Sequence, residues 1–517
     1  MKFKYCILCL LIILIVNHHS IAQSKLSPIW GDLEKGNYNV GFKILYEFDY
    51  SRVYHGPQSV TGKTFPGETA RPIRIGVWYP VAKTTSGKRM QYKDYINLQP
   101  TDKKFFDYNK SLCDYDYWAT VNWTNLTDSS KNKILNIQVE AIKDAKAAAG
   151  KFPLIVHYLG LNDRRNENIP LWEYLVSQGY VVVSIPQVSG GGDVYMELGL
   201  GSTLSKETQV RDMEFAVSQL RIFKFIDFSN IGVIGYSYGS VFAMRMAMFN
   251  PYIKAIATFD GNVNNKNGQS VIESFYNPKI NAAWLNIYRE KYENEDLKIF
   301  ETLKYTNRYR ITYTNAIHGD FEDFAIATSL MPEQTPAYAL KERPVSTAKR
   351  NYETTCRLTL EFFNTFIKKI PASGNKLETI ISEEKLAGII TDFEYRKASK
   401  VMDEEDLANA IIYYGIDEAE KIYNTVTADN DYEVFVAPSD LLIVATALRM
   451  GGRRILKSND VLFFMERNFP ADKKVYMELG RNFIELNKLA EAKKYLLKVL
   501  DTDKENKEAI ELMKKIK

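Results

Sequence analysis

The sequence lacks a strong excess of charge of either sign, and it is poor in histidine. It has 67 basic and 63 acidic residues among 517, a net charge of +4, and no long basic run. This balance excludes the basic footprint expected of a nucleic-acid-binding protein. The five histidines include no pair at the spacing of metal ligands. We therefore predict no metal, no cofactor and no nucleic-acid partner.

Long apolar runs are also missing, and the longest candidate lies at the N-terminus. The segment "MKFKYCILCLLIILIVNHHSIAQSK" has two early lysines, an apolar run over residues 6–16 and small residues around Ala22. A run of eleven residues is shorter than the ~20 needed to span a bilayer. We predict a signal peptide over residues 1–22, removed during export to the periplasm or the extracellular medium, and no spanning membrane segment after its removal. The alternative is an uncleaved anchor.

Cysteine is scarce, with four residues in the chain. Cys6 and Cys9 belong to the predicted signal peptide, which leaves Cys113 and Cys356, far apart in sequence. These two cysteines either pair in an oxidising compartment or remain buried thiols. Because neither lies near the motifs described below, we favour a structural role for both.

Short apolar runs alternate with segments of helical period between about residues 41 and 371. Runs such as "FPLIVHYL", "YVVVSIPQ" and "AIATFDG" lack strict polar alternation, which is typical of strands buried on both faces of a parallel sheet. We predict an α/β domain over residues 23–371, with helices on both faces of a mostly parallel sheet. A polar, aromatic insertion over 92–150 is interpreted as a cap, ending in a helix that Gly150 stops.

The remainder of the chain, residues 372–517, has a helical period throughout. Turn residues recur at equal intervals at Gly415, Gly451 and Asn487, which indicates repeats. The last unit, "YMELGRNFIELNKLAEAKKYLLKVL", resembles a tetratricopeptide repeat, in which small residues let paired helices approach. We predict an all-α, tetratricopeptide-like domain that binds a protein partner; the alternative is a generic helical bundle.

The stretch "IGVIGYSYGS" carries a Gly-x-Ser-x-Gly motif centred on Ser237. The preceding "IGVI" predicts a buried strand, and the following "SVFAMRMAMF" predicts a helix. A strand, a tight turn and a helix are the context of a nucleophile elbow, in which glycines at 235 and 239 avoid collisions with neighbouring elements. We predict that Ser237 is a nucleophile, with Gly235 and Gly239 as elbow glycines. The alternative is a solvated serine at the end of a strand.

A serine nucleophile needs a histidine base, and in proteins with a nucleophile elbow this histidine follows the serine in the chain. His18 and His19 lie in the predicted signal peptide, and His55 and His157 precede the serine. Only His318 remains, in "TNAIHGDFEDF" directly after the last predicted strand of the domain. It is the candidate base; otherwise it is a surface histidine in an acidic loop.

An acid must orient that imidazole. Asp260 ends the predicted strand "AIATFD", where a short side chain can reach the edge of the sheet, and it is the preferred candidate. Glu290, after the next predicted strand, is the rival. Asp320 and Asp323 lie so close to His318 that we expect them to shape its loop or cap a helix.

The oxyanion of a tetrahedral intermediate needs backbone donors. One predicted donor is the amide of Tyr238, directly after the nucleophile. The other is the amide of Leu161, in the loop after "FPLIVHYL", where Gly160 permits a close turn.

From about residue 37 to 370 the sequence resembles the α/β-hydrolase family of plasma-type platelet-activating-factor acetylhydrolases and related dienelactone-hydrolase-like esterases. The landmarks are "RPIRIGVWYP", "FPLIVHYLGL", "GYSYG", "FDG" and "HGDFEDF". The resemblance implies an α/β-hydrolase fold, a Ser-Asp-His triad with Asp260 as its acid, and calcium-independent cleavage of short acyl esters.

The sequence departs from those acetylhydrolases at two places. Leu159 and Gly160 stand where His-Gly is usual, and Ser240 stands where a glycine often follows the elbow. Both changes reshape the acyl pocket, so the phospholipid substrate is not carried over.

Together these features predict an exported serine esterase acting on a small-molecule or lipid-like ester. The alternatives are a serine peptidase with the same triad, or an interaction protein that keeps a non-catalytic hydrolase scaffold. The elbow alone does not define the substrate.

Overall fold

The computed structural model describes residues 26–54, 69–122, 127–161, 164–188, 203–274, 276, 280–292, 294–330, 344–430, 432–452, 454–470 and 472–516. The predicted signal peptide, residues 1–22, lies outside the described residues. The chain divides into two compact units, with the division between Lys397 and Ala398.

A large mixed sheet forms the centre of the first unit. Among the described residues its eleven strands are β1 (Asn39–Tyr54), β2 (Thr69–Val81), β3 (Arg89–Gln91), β4 (Gln138–Lys143), β5 (Phe152–Tyr158), β6 (Val181–Ser184), β7 (Ile226–Tyr236), β8 (Ile253–Phe259), β9 (Ala283–Arg289), β10 (Arg308–Tyr313) and β11 (Ile390–Arg396). Their order is β11-β10-β9-β8-β7-β5-β6-β2-β1-β4-β3. The six strands from β10 to β6 run parallel. Their carboxyl ends therefore meet at one edge of the sheet.

Helices surround this sheet. They are α1 (Tyr92–Ile96), α2 (Phe106–Asn122), α3 (Asp128–Leu135), α4 (Ile169–Ser177), α5 (Thr203–Gln219), α6 (Gly239–Phe249), α7 (Lys266–Glu273), α8 (Lys298–Thr302), α9 (Phe324–Leu330), α10 (Val345–Phe366) and α11 (Pro371–Leu386). Two separate apolar clusters pack against strands of the sheet, one including α4 and α10 and the other including α6. All four residues of β6 are buried. The predicted α/β architecture, with strands covered on both faces, is confirmed.

The end of the 92–150 insertion differs from the prediction. The sequence predicted a helix stopped by Gly150, but α3 ends at Leu135 and β4 follows it. This strand pairs in parallel with β1, Val40 opposite Ala141. Val139 and Ala141 are both fully buried. Sheet pairing therefore overrides a helical pattern, as tertiary context often does.

The boundary predicted at residue 371 was also wrong. Pro371 opens α11 rather than a linker, because a proline in the first turn of a helix loses no helical hydrogen bond. The chain then returns as β11, which pairs antiparallel with β10. The first unit consequently extends to Lys397.

The second unit contains a parallel pair of strands, β12 (Lys400–Asp403) and β13 (Tyr432–Phe435), so the expectation of helices alone beyond residue 371 was wrong. Its helices are α12 (Glu404–Tyr414), α13 (Ile416–Ala428), α14 (Pro438–Gly452), α15 (Ile455–Asn468), α16 (Lys473–Glu485), α17 (Leu489–Thr502) and α18 (Lys507–Lys515).

Three consecutive helix pairs in this unit turn near the predicted turn residues. Gly415 and Asn487 have positive φ values of 86° and 57°. A Cβ on Gly480 would lie 2.8 Å from the Leu496 side chain, so α16 and α17 approach closely at this glycine. The assignment to tetratricopeptide repeats stays a prediction.

Two further features bear on the sequence predictions. Cys113 and Cys356 are both free thiols, and burial raises the pKa of Cys356 well above its ordinary value. In the part of the chain that the structure describes, no helix has both the length and the apolar character needed to cross a bilayer.

Candidate active site

Ser237 lies in the turn between β7 and α6, at the carboxyl edge of the sheet. Its φ of 52° falls in the left-handed region, which is strained for a residue with a side chain. Neighbouring groups hold this conformation: the Ser237 amide donates to the Phe259 carbonyl at 3.0 Å. The Ser237 carbonyl accepts from the amide of Asn262 at 3.0 Å and from Ser240 Oγ at 2.7 Å. Ser240, the departure noted after the elbow, thus supplies a hydroxyl that fixes the turn.

The glycines on either side of the elbow are required by close backbone contacts. A Cβ on Gly235 would lie 2.5 Å from the Gly239 carbonyl oxygen. A Cβ on Gly239 would lie 2.3 Å from the Tyr158 carbonyl oxygen and 2.4 Å from that of Leu159. Both positions therefore exclude a side chain, and the start of α6 lies directly against the end of β5.

His318 opens a single 3₁₀ turn after β10 and reaches the serine. Its Nε2 lies 3.0 Å from Ser237 Oγ. The imidazole stacks on the Tyr236 ring at a centroid distance of 4.8 Å, and the Tyr236 hydroxyl donates to the His318 carbonyl at 3.0 Å. The residue just before the elbow therefore fixes both the ring and the backbone of His318.

Asp260 follows β8 and completes a hydrogen-bonded line with His318 and Ser237. Its carboxylate is fully buried, and Oδ2 lies 2.6 Å from His318 Nδ1. Oδ1 accepts the Arg289 amide at 3.1 Å. Because a carboxylate can only accept, Nδ1 carries the imidazole proton, and Nε2 is left to accept the serine proton.

The other acidic candidates have different partners. Glu290 accepts from Thr314 Oγ1 and from the Asn315 amide, both at 3.2 Å, in the turn after β10. Asp320 accepts the Ile317 amide at 3.2 Å and so caps the turn that contains His318. The structure brings Asp260, and not Glu290, to the imidazole.

Asp323, also considered for a role near His318, anchors the end of its loop. Tyr92 Oη donates to Asp323 Oδ2 at 2.9 Å, and Arg164 Nη2 lies 2.8 Å from Oδ1. The Asp323 amide donates to the Glu167 carbonyl at 2.8 Å. These contacts tie the loop after β10 to the loop after β5, as expected of a residue that shapes the loop.

The predicted oxyanion donors lie in the two segments that meet at Gly239. Tyr238 directly precedes α6, and Leu161 follows β5 in the chain. Glu167, which sequence reasoning missed, is fully buried, and its Oε2 accepts the Gly160 amide at 3.0 Å. It therefore fixes the peptide next to Leu161. Its place seven residues after Gly160 gives no signal in the sequence.

His157 is a structural residue beneath this loop. Trp172 Nε1 donates to its Nδ1 at 2.5 Å, and its Nε2 lies 3.2 Å from Glu167 Oε1. Burial lowers the pKa of His157 to about 3, so the ring is neutral at ordinary pH. His157 therefore contacts the carboxylate of Glu167 and is not a candidate for the catalytic base.

The mostly parallel sheet, the helices around it and the serine elbow at its carboxyl edge define an α/β-hydrolase fold, followed by a C-terminal helical region. Residues 146–366 match the dienelactone hydrolase family. This segment contains Ser237, Asp260 and His318. The fold and this match together support an ester hydrolase.

Among solved structures, the chain is similar to a ferulic acid esterase from Streptomyces cinnamoneus, at 17% identity and a TM-score of 0.48. The alignment covers 70% of this chain and 97% of that one. No curated protein matches the sequence.

Proposed function

We propose that the protein is an exported serine esterase that hydrolyses carboxylic esters through an acyl-enzyme. His318 Nε2 takes the proton of Ser237 Oγ as that oxygen attacks the ester carbonyl, and Asp260 stabilises the imidazolium that forms. The alcohol leaves with this proton. A water molecule then attacks the acyl-enzyme with the same base, which releases the carboxylic acid and restores the serine.

The observation that carries the proposal is the line from Ser237 Oγ through the imidazole to Asp260, with contacts of 3.0 Å and 2.6 Å. A buried carboxylate holds the proton on the far side of the ring, so that the near nitrogen faces the hydroxyl. The strained backbone at Ser237, φ 52°, is typical of a nucleophile held for reaction.

The Tyr238 and Leu161 amides are the proposed oxyanion donors. Tyr238 precedes the first turn of α6, where free amides and the helix dipole favour negative charge. The close approach of Gly239 to the Tyr158 and Leu159 carbonyls supports a second donor from the loop after β5. Replacing either residue by proline would remove its amide; the larger loss is expected in kcat, since an oxyanion donor acts in the transition state.

The proposed substrates are esters of short acyl chains, in keeping with the resemblance to acetylhydrolases. A p-nitrophenyl ester series from acetate to octanoate, with matched anilides, measures both chain length and reaction class. We expect the highest kcat/KM with the shortest esters, and hydrolysis of the anilides at rates far below those of the matched esters. A preference for anilides would indicate a peptidase instead.

A fluorophosphonate probe tests the nucleophile without knowledge of the substrate. We expect labelling of the wild type and of Ser218→Ala, which changes an exposed serine of α5, but not of Ser237→Ala. A folded wild type that is neither labelled nor active would contradict the proposal and favour a non-catalytic scaffold.

Two further parts of the proposal concern the ends of the chain. Export is proposed from the N-terminal sequence, and N-terminal sequencing of the secreted protein should begin at Gln23. The helical unit beyond Lys397 is proposed to bind a protein partner through its helix pairs and to take no part in catalysis. Deletion of residues 398–517 should therefore leave the rate on p-nitrophenyl acetate unchanged.

A further inference from the structure

A cation lies beside the buried acid of the site. Arg289 ends β9, and its backbone amide donates to Asp260 Oδ1 at 3.1 Å. Its guanidinium also reaches the carboxylate, with Nη1 3.6 Å from Oδ2. This is the same oxygen that lies 2.6 Å from His318 Nδ1. Asp260 therefore faces the imidazole and a permanent positive charge together.

The two partners of this carboxylate differ in exposure. The Asp260 side chain is fully buried, whereas that of Arg289 is 29% exposed. The guanidinium lies 5.3 Å from the centroid of the Tyr292 ring, and the Tyr292 hydroxyl donates to the Asp260 carbonyl. The Tyr292 ring thus holds the partly exposed guanidinium of Arg289 in place, and the charge of that guanidinium acts on the buried Asp260 carboxylate.

The other polar groups around His318 have partners of their own. Tyr236 on β7 stacks on the ring. On the His318 turn, Asp320 Oδ2 accepts from the Ile317 amide and from Asn351 of α10. Glu322 and Asp323, before α9, pair with Arg164. Among the ion pairs of the described residues, Asp260 has two partners, His318 and Arg289, and Arg289 is the one with a permanent charge.

We propose that Arg289 is a positioning residue that acts through Asp260 and keeps His318 neutral at lower pH, so that hydrolysis extends into more acidic solution. This inference rests on the proposed function. A positive charge close to an imidazole disfavours its protonated form, and so it opposes the neighbouring carboxylate, which favours that form.

Substitution at 289 isolates this charge, because the backbone amide that binds Oδ1 remains in every variant. In Arg289→Gln and Arg289→Met the imidazole should become protonated at higher pH. The acidic limb of kcat/KM should then move upward by about 0.5 to 1 pH unit, as expected for a partly exposed charge at this range. Arg289→Lys keeps the charge and should retain the limb of the wild type.

The experiment measures the pH dependence, from pH 5 to 9, of kcat/KM for p-nitrophenyl acetate and of the rate of fluorophosphonate labelling. Arg221→Gln is the matched control and should leave the limb unchanged, because it removes an exposed arginine in the turn before β7, at the opposite end of that strand from Ser237. Circular dichroism establishes that each variant is folded. Since the charge acts on the base, KM should change little.

The outcomes separate this inference from the proposed function. An upward shift in the Gln and Met variants, with the limb retained in the Lys variant, supports the role of the charge. A uniform loss of rate at all pH values without a shift overturns it and leaves Arg289 as a purely structural contact. An unlabelled, inactive wild type overturns the proposed function itself.

Discussion

The tightest contact of the elbow yields a prediction whose size follows from the structure. In Gly239→Ala the new Cβ would lie 2.3 Å and 2.4 Å from two backbone oxygens of the segment that ends β5. Ordinary van der Waals contact begins at 3.4 Å, so one backbone segment must move by about 1 Å. Overpacking of this kind costs about 1 to 3 kcal/mol of unfolding free energy.

The same movement displaces the proposed oxyanion loop relative to the serine. Misplacement by about 1 Å lowers rates by on the order of 100-fold. We expect Gly239→Ala to lower kcat for p-nitrophenyl acetate by about that factor and to lower the urea midpoint. Gly374→Ala is the matched control: its Cβ would meet nothing nearer than 4.0 Å, and it lies in α11. It should gain about 0.5 to 1 kcal/mol in stability with unchanged activity.

A Gly239→Ala protein with the kcat and the urea midpoint of the wild type would contradict this prediction. A gain in stability like the one expected of Gly374→Ala would also contradict it. Such results would mean that the carbonyls at the end of β5 yield without disturbing the elbow.

Four more variants test the site and the buried core beside it. Asp260→Asn should lower kcat by about 10³- to 10⁴-fold through the wrong imidazole tautomer, whereas Glu290→Gln should cost less than tenfold; equal losses would reinstate Glu290 as the acid. Glu167→Gln should lower kcat by about tenfold with little change in KM, because the loop that carries Leu161 loses its charged anchor; a change in KM alone would argue against this role. Burial raises the pKa of Glu173 from 4.5 to about 7, so the folded state keeps a proton that the unfolded state has released. The free energy of unfolding should therefore fall by about 3 kcal/mol between pH 4.5 and 7, and urea titrations should show a smaller fall in Glu173→Gln.

The residues that local sequence could predict are those set by chain order and by strand ends. Ser237 is fixed by its motif, and His318 by being the one histidine that follows it. Asp260 was preferred because it ends a strand, and parallel strands bring such ends to one edge of the sheet. Each of these three predictions depended on the topology of the fold and not on particular contacts. In the structure the three side chains lie together.

The features that the sequence could not predict depend on partners distant in the chain. Glu167 acts through the Gly160 amide and through a loop that arrives more than 150 residues later. The strand β4 exists because β1 offers it a parallel partner, although its own pattern favours a helix. Pro371 was interpreted as a break because the first turn of a helix and a linker accept proline equally well.

The end of β9 shows how two adjacent charged residues acquire different roles. Glu290 was considered as an acid, but its carboxylate binds the turn after β10, from which His318 follows. Arg289, with its amide and its guanidinium, binds the acid that follows β8 instead. The end of β9 therefore contacts both elements that position the imidazole. Arg289 binds the Asp260 carboxylate, and Glu290 binds the turn that leads to His318. A pair of variants, Arg289→Gln and Glu290→Gln, should consequently differ in kind, because the first changes the pH at which the base works and the second changes how well the base is placed.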